Sequence, residues 1–373
     1  MLLDPELHYL DNAATTMVDP EIAGAIHEAL LKDWANPSSL YEPAVETHEA
    51  LTTARGQIAR TLGCQAKDLY FTSCGSESNN LAVQGLAMAR KNWGSKIVVS
   101  GFEHPSVQRP IRALKDRGFE VVEILPEADG HLDVAKLAAE VDKNTVLVSC
   151  MAVNNETGTL QDIAALSTAV KAKNSRCAVH VDAVQAVGKE PIDLSRTPID
   201  FLALSGHKLH APKGVGVLYV RKGTRFRPFL RGGHQERGRR AGTENVPYIV
   251  GLGKACELAG SAMAQERTQV AALRDKLERG LLAAIPNAIV NGDVEHRLPN
   301  TSSIAFESVE GEAILLMLNE FGICASSGSA CTSGSLEPSH VLRAMGVPFT
   351  YAHGSIRFSL SRYTAEAEID KVL

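Results

Sequence analysis

The 373-residue sequence has no apolar stretch approaching the ~20 residues needed to cross a bilayer, which excludes a membrane helix. It has no surplus of positive charge either. The formal net charge is -5, so there is no overall basic field to hold nucleic acid or anionic lipid. Paired cysteines are missing. The seven present (Cys64, Cys74, Cys150, Cys177, Cys256, Cys324 and Cys331) are irregularly spaced and form no CxxC. That pattern speaks against a disulfide framework or a thiolate zinc site, and most of them read as small buried hydrophobes in a reducing compartment. The opening MLLDPELHYLDNAATT carries acids and a proline where a secretory signal has a basic start and an apolar run. Internal repeats and low-complexity tracts are absent. What remains is an ordinary globular composition, 45% hydrophobic and 22% charged, with room for one large core or two domains. The expected location is the cytoplasm.

Short runs of Val, Ile and Leu recur: LYFTS (69–73), KIVVS (96–100), EVVEIL (120–125), TVLVSCM (145–151), CAVHVD (177–182), DFLAL (200–204) and VGVLYV (215–220). They lack clean alternation, which predicts strands buried on both faces. Helical patterns lie between them near 43–62, 78–93, 105–117, 133–141 and 162–173. Alternating strands and helices predict an α/β domain with a large, mixed but mostly parallel sheet. From about residue 245 to Pro286 the pattern becomes one long, bent helix joining two parts of the chain. A smaller α+β unit follows, with strands near 302–306 and 355–360 and helices near 310–319 and 338–345. The expected division is a large domain over 15–258 and a small one formed by 1–14 with 259–373.

The stretch ALSGHKLHAPKGVGVLYV sets Lys208 in a turn between two apolar segments. On residue type alone a loop lysine is a solvated surface group. Held in an apolar turn it loses its proton, and a neutral amine forms a Schiff base with an aldehyde such as pyridoxal phosphate. That cofactor needs an acid beside its ring nitrogen. Asp182 ends a predicted buried strand in HVDAVQAVG, where it is either such an acid or a helix cap, and Gln185 could bond the ring hydroxyl. In TSCGSESNN, Gly75 and Ser76 stand between a strand and a helix start, a layout that binds phosphate. Ser205 and His207 flank the lysine and could add contacts. His104, in GFEHPSV, follows another strand and could stack on the ring and shuttle protons; a satisfied loop histidine is the plainer reading.

The motifs YLDNAATT, NPSS, TSCGSESNN, VNNETGT, HVDAVQAVGK, SGHKLHAPKGVG, RRAGTEN, SSGSACTSGS and GSIRFSLSRY occur in this order. Together they resemble the NifS/IscS-type cysteine desulfurases, and SGSLEPSHVLRAMGVP is most like the NifS branch. The likeness runs from residue 9 to the end of the chain. It implies pyridoxal-phosphate fold type I, the aspartate aminotransferase-like fold. It implies Lys208 as Schiff-base lysine, Asp182 as pyridinium partner, Gln185 as phenolate partner, and His104 as stacking residue and acid/base. It assigns Ser76, Ser205 and His207 to the phosphate and Thr243 to the phosphate of the neighbouring subunit of a homodimer. Asn155 and Arg357 are implied to hold the substrate carboxylate.

Cys331, in GICASSGSACTSGS, is surrounded by serine, glycine and alanine, a composition typical of exposed loops. A thiol there can ionise and attack, whereas the buried, inert reading suits the other six cysteines better. The implied reaction takes L-cysteine to L-alanine, leaves a persulfide on Cys331 and passes the sulfur to an iron–sulfur scaffold protein. Cys74 and Cys324 depart from the family pattern; packing is the simpler reading of both. Rival readings are a selenocysteine lyase or aminotransferase on the same fold, a catalytically silent scaffold or sulfur carrier, and a hydrolase pairing Cys331 with His340 or His353.

Overall fold

The computed structural model describes residues 6–327 and 337–373. Its strands, in chain order, are β1 (His8–Tyr9), β2 (Leu69–Thr72), β3 (Lys96–Ser100), β4 (Glu120–Ile124), β5 (Thr145–Met151), β6 (Ala178–Asp182), β7 (Phe201–Ser205), β8 (Gly216–Val220), β9 (Ala288–Val290), β10 (Thr301–Phe306), β11 (Ile323–Cys324) and β12 (Ser355–Ser359). Each of the seven apolar runs becomes a strand within about one residue of its predicted bounds. Together they form one sheet in the order β2-β8-β7-β6-β5-β3-β4. β8 runs antiparallel to both its neighbours, and the remaining pairs are parallel. Every residue of β3, β5, β6, β7 and β8 is buried, as expected for strands covered on both faces.

The topology places the site. β2, β3, β5, β6 and β7 all point the same way, so their carboxyl ends open on one edge of the sheet. Ligands of open α/β sheets bind at that edge. The helix predicted at 78–93 begins earlier, at Gly75, and ends at Arg90. Gly75 and Ser76 are therefore its first turn rather than the loop before it. A helix at Pro20–Lys32 was not among the predicted elements. Its start is nevertheless written locally: the Asp19 side chain accepts from Glu21 N at 2.8 Å, and Pro20 occupies the first position.

The connector is helical from Val246 to Ala284, with a π-helical stretch at Glu266–Val270. Before that stretch, Leu252, Cys256 and Ala259 pack into the core beside the large sheet; from its last residue onward, Val270 and Leu277 pack into a second core with Ile304, Ile356 and Phe358. This second core covers a three-stranded antiparallel sheet, β12-β10-β9, next to a short parallel pair, β1-β11. β1, β9 and β11 are too short to stand out as patterns in the sequence. Among the described residues no helix is long and apolar enough to cross a membrane.

The helices Glu42–Leu62 and Val246–Gln265 pack tightly at Gly253, where an added Cβ would lie 2.8 Å from the Ala54 backbone. Gly253→Val should force the two helices apart and lower stability by about 1–3 kcal/mol, read as a reduced denaturant midpoint.

Candidate active site

The carboxyl edge of the large sheet encloses a cavity of about 270 Å³. Lys208, Asp182, Gln185, His104, Gly75, Ser76, Ser205, His207, Asn155 and Arg357 all line it. Residues proposed from six separate stretches of sequence thus converge on one space. Thr243 is exposed and does not line it. Cys331 lies outside the described residues.

Lys208 closes a single 3-10 turn that follows the end of β7. Its Nζ donates to the carbonyl oxygens of Ala13 and Ala14, the latter at 2.7 Å. A neutral amine has two hydrogens and a lone pair, so both carbonyls are satisfied while the lone pair stays available. Burial, helped by the positive charges of Arg357 and Lys189, pushes the Lys208 amine down to about 7 from an ordinary value of 10.5.

Asp182 ends β6, and its carboxylate is held from two sides. Oδ1 accepts from Val184 N at 3.0 Å and Oδ2 from Asn79 Nδ2 at 2.8 Å. Asn79 also donates to Ser106 Oγ at 2.9 Å. With both amide hydrogens committed, its Oδ1 accepts from His180 Nε2 at 3.1 Å, and His180 Nδ1 in turn accepts from Ser149 Oγ at 2.8 Å. His180 stays neutral, because burial pushes it down to about 4. On the other side Ser106 N donates to His104 Nδ1 at 3.1 Å, so the Ser106 hydroxyl donates to that nitrogen too, at 2.8 Å. One directed chain thereby links Asp182 to His104 and leaves His104 Nε2 to carry the ring's proton. Burial also lowers the His104 pKa, with Asp182 opposing.

Sequence reasoning did not single out Asn79, Ser106 or His180. The available signal was period two: His180 precedes Asp182 by two residues in β6 and shares its face. Glu103 and Glu156 were missed as well. Glu103 is fully buried, accepts from Ser100 Oγ and from Met151 N (2.6 Å), and has an Oε2 with no partner among the described residues. Burial, opposed by the Ser100 hydrogen bond and reinforced by Asp182, pushes its carboxyl up to about 8. Glu156 lines the cavity and accepts from Ser339 Oγ; burial raises its pKa. His340 lines the cavity too, bonded through Nε2 to the Glu103 carbonyl at 3.0 Å.

A pyridoxal-phosphate-sized group fits these residues. Among the described residues, Ser205 Oγ is buried and unpartnered beside the cavity, as is Arg357 Nε. Gly75 begins a 16-residue helix whose N-terminal amides favour an anion, and a Cβ there would lie 2.7 Å from Val184 Cγ2. Gln185 Nε2 spends one hydrogen on Ala13 O at 2.9 Å and keeps another. His207 is pushed down to about 4 by burial and the neighbouring lysines, and its Nδ1 lies 3.2 Å from Thr15 Oγ1. Arg357 is more engaged than an empty fork: Nη1 donates to Asn155 O at 2.7 Å and Nη2 pairs with Asp11 Oδ1 at 2.8 Å. Each Nη still has a second hydrogen. Cys74 also lines the cavity, so it is more than core packing.

The family model for aminotransferase class-V matches residues 8–372. A cysteine desulfurase of Trichormus azollae is 53% identical over 365 residues, covering 98% of this chain and 90% of that relative. Cysteine desulfurase NifS of Azotobacter vinelandii is 52% identical over 366 residues, with the same coverage. A solved NifS-like protein superposes with a TM-score of 0.92 at 37% identity, covering 97% of this chain and 96% of that one.

Two outcomes check the site. Competitive labelling of the amines in the apoprotein, read by peptide mass, should give Lys208 a half-point near pH 7, with reactivity rising above it, while exposed lysines titrate some three units higher. Asn79→Ala should loosen Asp182 and weaken retention of added pyridoxal phosphate by about ten- to a hundredfold in a dialysis assay, the scale of one lost hydrogen bond to a charged group.

Proposed function

The chain belongs to the class-V aminotransferase family and, within it, to the NifS-like cysteine desulfurases, pyridoxal-phosphate enzymes acting on cysteine; from that premise we propose how its own residues divide the work. Lys208 anchors the cofactor and moves the proton. The observation that carries this reading is a near-neutral amine facing the same cavity as Asp182 and an unpartnered Ser205 hydroxyl.

Asp182 holds the ring nitrogen protonated, and Gln185 steadies the ring hydroxyl. Gly75, Ser76, Ser205 and His207 hold the phosphate. Bound there, pyridoxal phosphate supplies an aldehyde for the substrate amine and a ring that withdraws electrons from its α-carbon. Arg357 and Asn155 hold the substrate carboxylate. The freed Lys208 amine takes the α-proton and returns it. His104, protonated on Nε2 and aligned by Ser106, serves as the second acid/base. Cys331 thiolate attacks the substrate sulfur: a new S–S bond forms, the C–S bond breaks, and its electron pair stays with the carbon skeleton. Protonation of that carbon yields L-alanine and leaves a persulfide on Cys331. The composition of the cysteine stretch and the family membership support this role.

We place the enzyme as a cytoplasmic homodimer that passes sulfur to an iron–sulfur scaffold protein. The six described cysteines are all free, which suits a reducing compartment. Arg240 pairs with Glu77 at 2.8 Å and so ties the RRAGTEN stretch to the phosphate-facing helix, while Thr243 looks outward and Phe229 and Leu230 are exposed nearby in sequence. That arrangement suits a Thr243 that serves a second copy. The proposed division is a large unit at 15–258 and a small one at 1–14 with 259–373; the core of Leu10, Leu277, Ile304, Ile356 and Phe358 supports it, while Leu298, Val341, Leu342 and Met345 of the small unit pack into the core beside the large sheet.

Cys331→Ala should abolish sulfide release and alanine formation while the holoenzyme keeps its cofactor absorbance. In the parent protein, mass spectrometry after L-cysteine should find one added sulfur on the Cys331 peptide. Unaltered turnover by the variant would favour an aminotransferase or lyase reading instead. His104→Gln should lower kcat by about 10²–10⁴-fold with the cofactor still bound.

A further inference from the structure

Two loops from different sheets meet at a cluster that the desulfurase chemistry does not use. His131 lies in the loop after β4 of the seven-stranded sheet; Asp293 and His296 lie in the loop after β9 of the three-stranded sheet. Asp293 Oδ2 is 2.7 Å from His131 Nε2 and 3.2 Å from His296 Nδ1, and the three ligand atoms all lie within 4.8 Å of one another. We propose that His131, Asp293 and His296 form a binding site for one borderline divalent transition-metal ion such as Zn²⁺, bridging the two sheets.

The carboxylate is aimed. Its Oδ1 is occupied by the backbone N–H groups of Glu295 (2.6 Å) and His296 (3.0 Å), which turns Oδ2 toward both imidazoles. The loops are also fixed against one residue. Asp293 N donates to Thr159 Oγ1 at 3.3 Å, and Thr159 Oγ1 donates to Asp129 O at 3.3 Å. Gly130 (φ +84°) and Gly292 (φ +87°) precede the two ligands, and a Cβ on them would lie 3.1 and 2.6 Å from the same Thr159 oxygen. Only glycine permits that approach with that backbone. Both ligand loops are therefore built to pass close to Thr159.

Tetrahedral zinc with bonds of about 2.0–2.2 Å needs ligand atoms about 3.3 Å apart. The 3.2 Å edge already meets this, and the 2.7 Å edge needs an opening of about half an ångström. His296, with its side chain 70% exposed, is free to shift, and water completes the shell. Two imidazoles and one carboxylate favour zinc, cobalt, nickel or ferrous iron over magnesium or calcium, which prefer all-oxygen shells. The lack of paired cysteines speaks against a thiolate centre but has no bearing on this donor set. Because the ligands come from loops of both sheets, an ion here would tie them together.

The test uses holoenzyme carrying Cys331→Ser, which removes the competing thiol, titrated with Zn²⁺ by calorimetry alongside a Mg²⁺ control. One equivalent of Zn²⁺ should bind, Mg²⁺ should not, and the zinc form should melt higher in a way that a chelator reverses. His296→Ala and Asp293→Asn should each weaken zinc by more than about 100-fold, beyond what loss of an outer-shell partner costs. His296→Ala removes an exposed side chain, so its metal-free melting point should match the parent's. Absence of zinc binding in the Cys331→Ser protein, or binding that persists unchanged in both His296→Ala and Asp293→Asn, would overturn the proposal.

Discussion

An amine must be kept uncharged, and within reach, on the rim of a buried cavity. The rest of the architecture can be read from that requirement. Desolvation alone would achieve it at the cost of access. Here the turn after β7 instead sets Lys208 where the cavity wall removes water, Arg357 and Lys189 add repulsion, and the carbonyls of Ala13 and Ala14 accept its two N–H groups. The extended N-terminal segment has to cross the site to supply those carbonyls. It is held there by Thr16, whose hydroxyl donates to His207 O at 2.9 Å, and by Ala13 N, which donates to Ser359 Oγ at 2.8 Å. Residues nearly 350 positions apart in the chain thus jointly determine the state of one nitrogen.

The second organising element is the chain of hydrogen bonds around Asn79. An amide has two donors and one acceptor group with a fixed geometry, so committing all of them fixes the neighbours as well. Asp182, Ser106 and His180 surround it, and the proton positions on His180 and His104 follow from the network. The Asp182 carboxylate and, through Ser106, the His104 ring are thereby positioned by the same side chain. A cavity lined by two groups of opposite protonic character is a useful place for acid/base chemistry, and a shared support keeps their spacing constant.

Much of this was legible in the sequence, for physical reasons that differ by element. Strands buried on both faces must be apolar along their whole length, so β3, β5, β6, β7 and β8 announced themselves. Lys208 and Asp182 were visible because each breaks such a run at its end. Asn79 and Ser106 were not, because polar residues in the first two turns of a helix look alike until their partners are known. The helix Pro20–Lys32 carries its Asp-Pro start in plain view, and Ile22, Ile26 and Ala29 give it a buried stripe at helical spacing. Arg357 was found, but its pairing with Asp11 depends on a fold-level meeting that no local pattern encodes. The strand pairs that hold the ends of the chain together, β1 with β11, are two residues long and too short for any periodicity.

The π-helical stretch at Glu266–Val270 has a consequence for how this chain can vary. A helix turns by about 100° per residue, and one π turn sets the following segment out of phase with what precedes it. The same rod can therefore present one flank to the core that contains Leu252 and another to the core that contains Leu277. It works as a gear between two bodies, and gears do not tolerate a missing tooth. Surface loops elsewhere can lengthen or shorten by a residue at little cost. At this joint, a further inserted residue would turn the flank carrying Leu277 away from the core it shares with Ile356, the neighbour of Arg357 in β12.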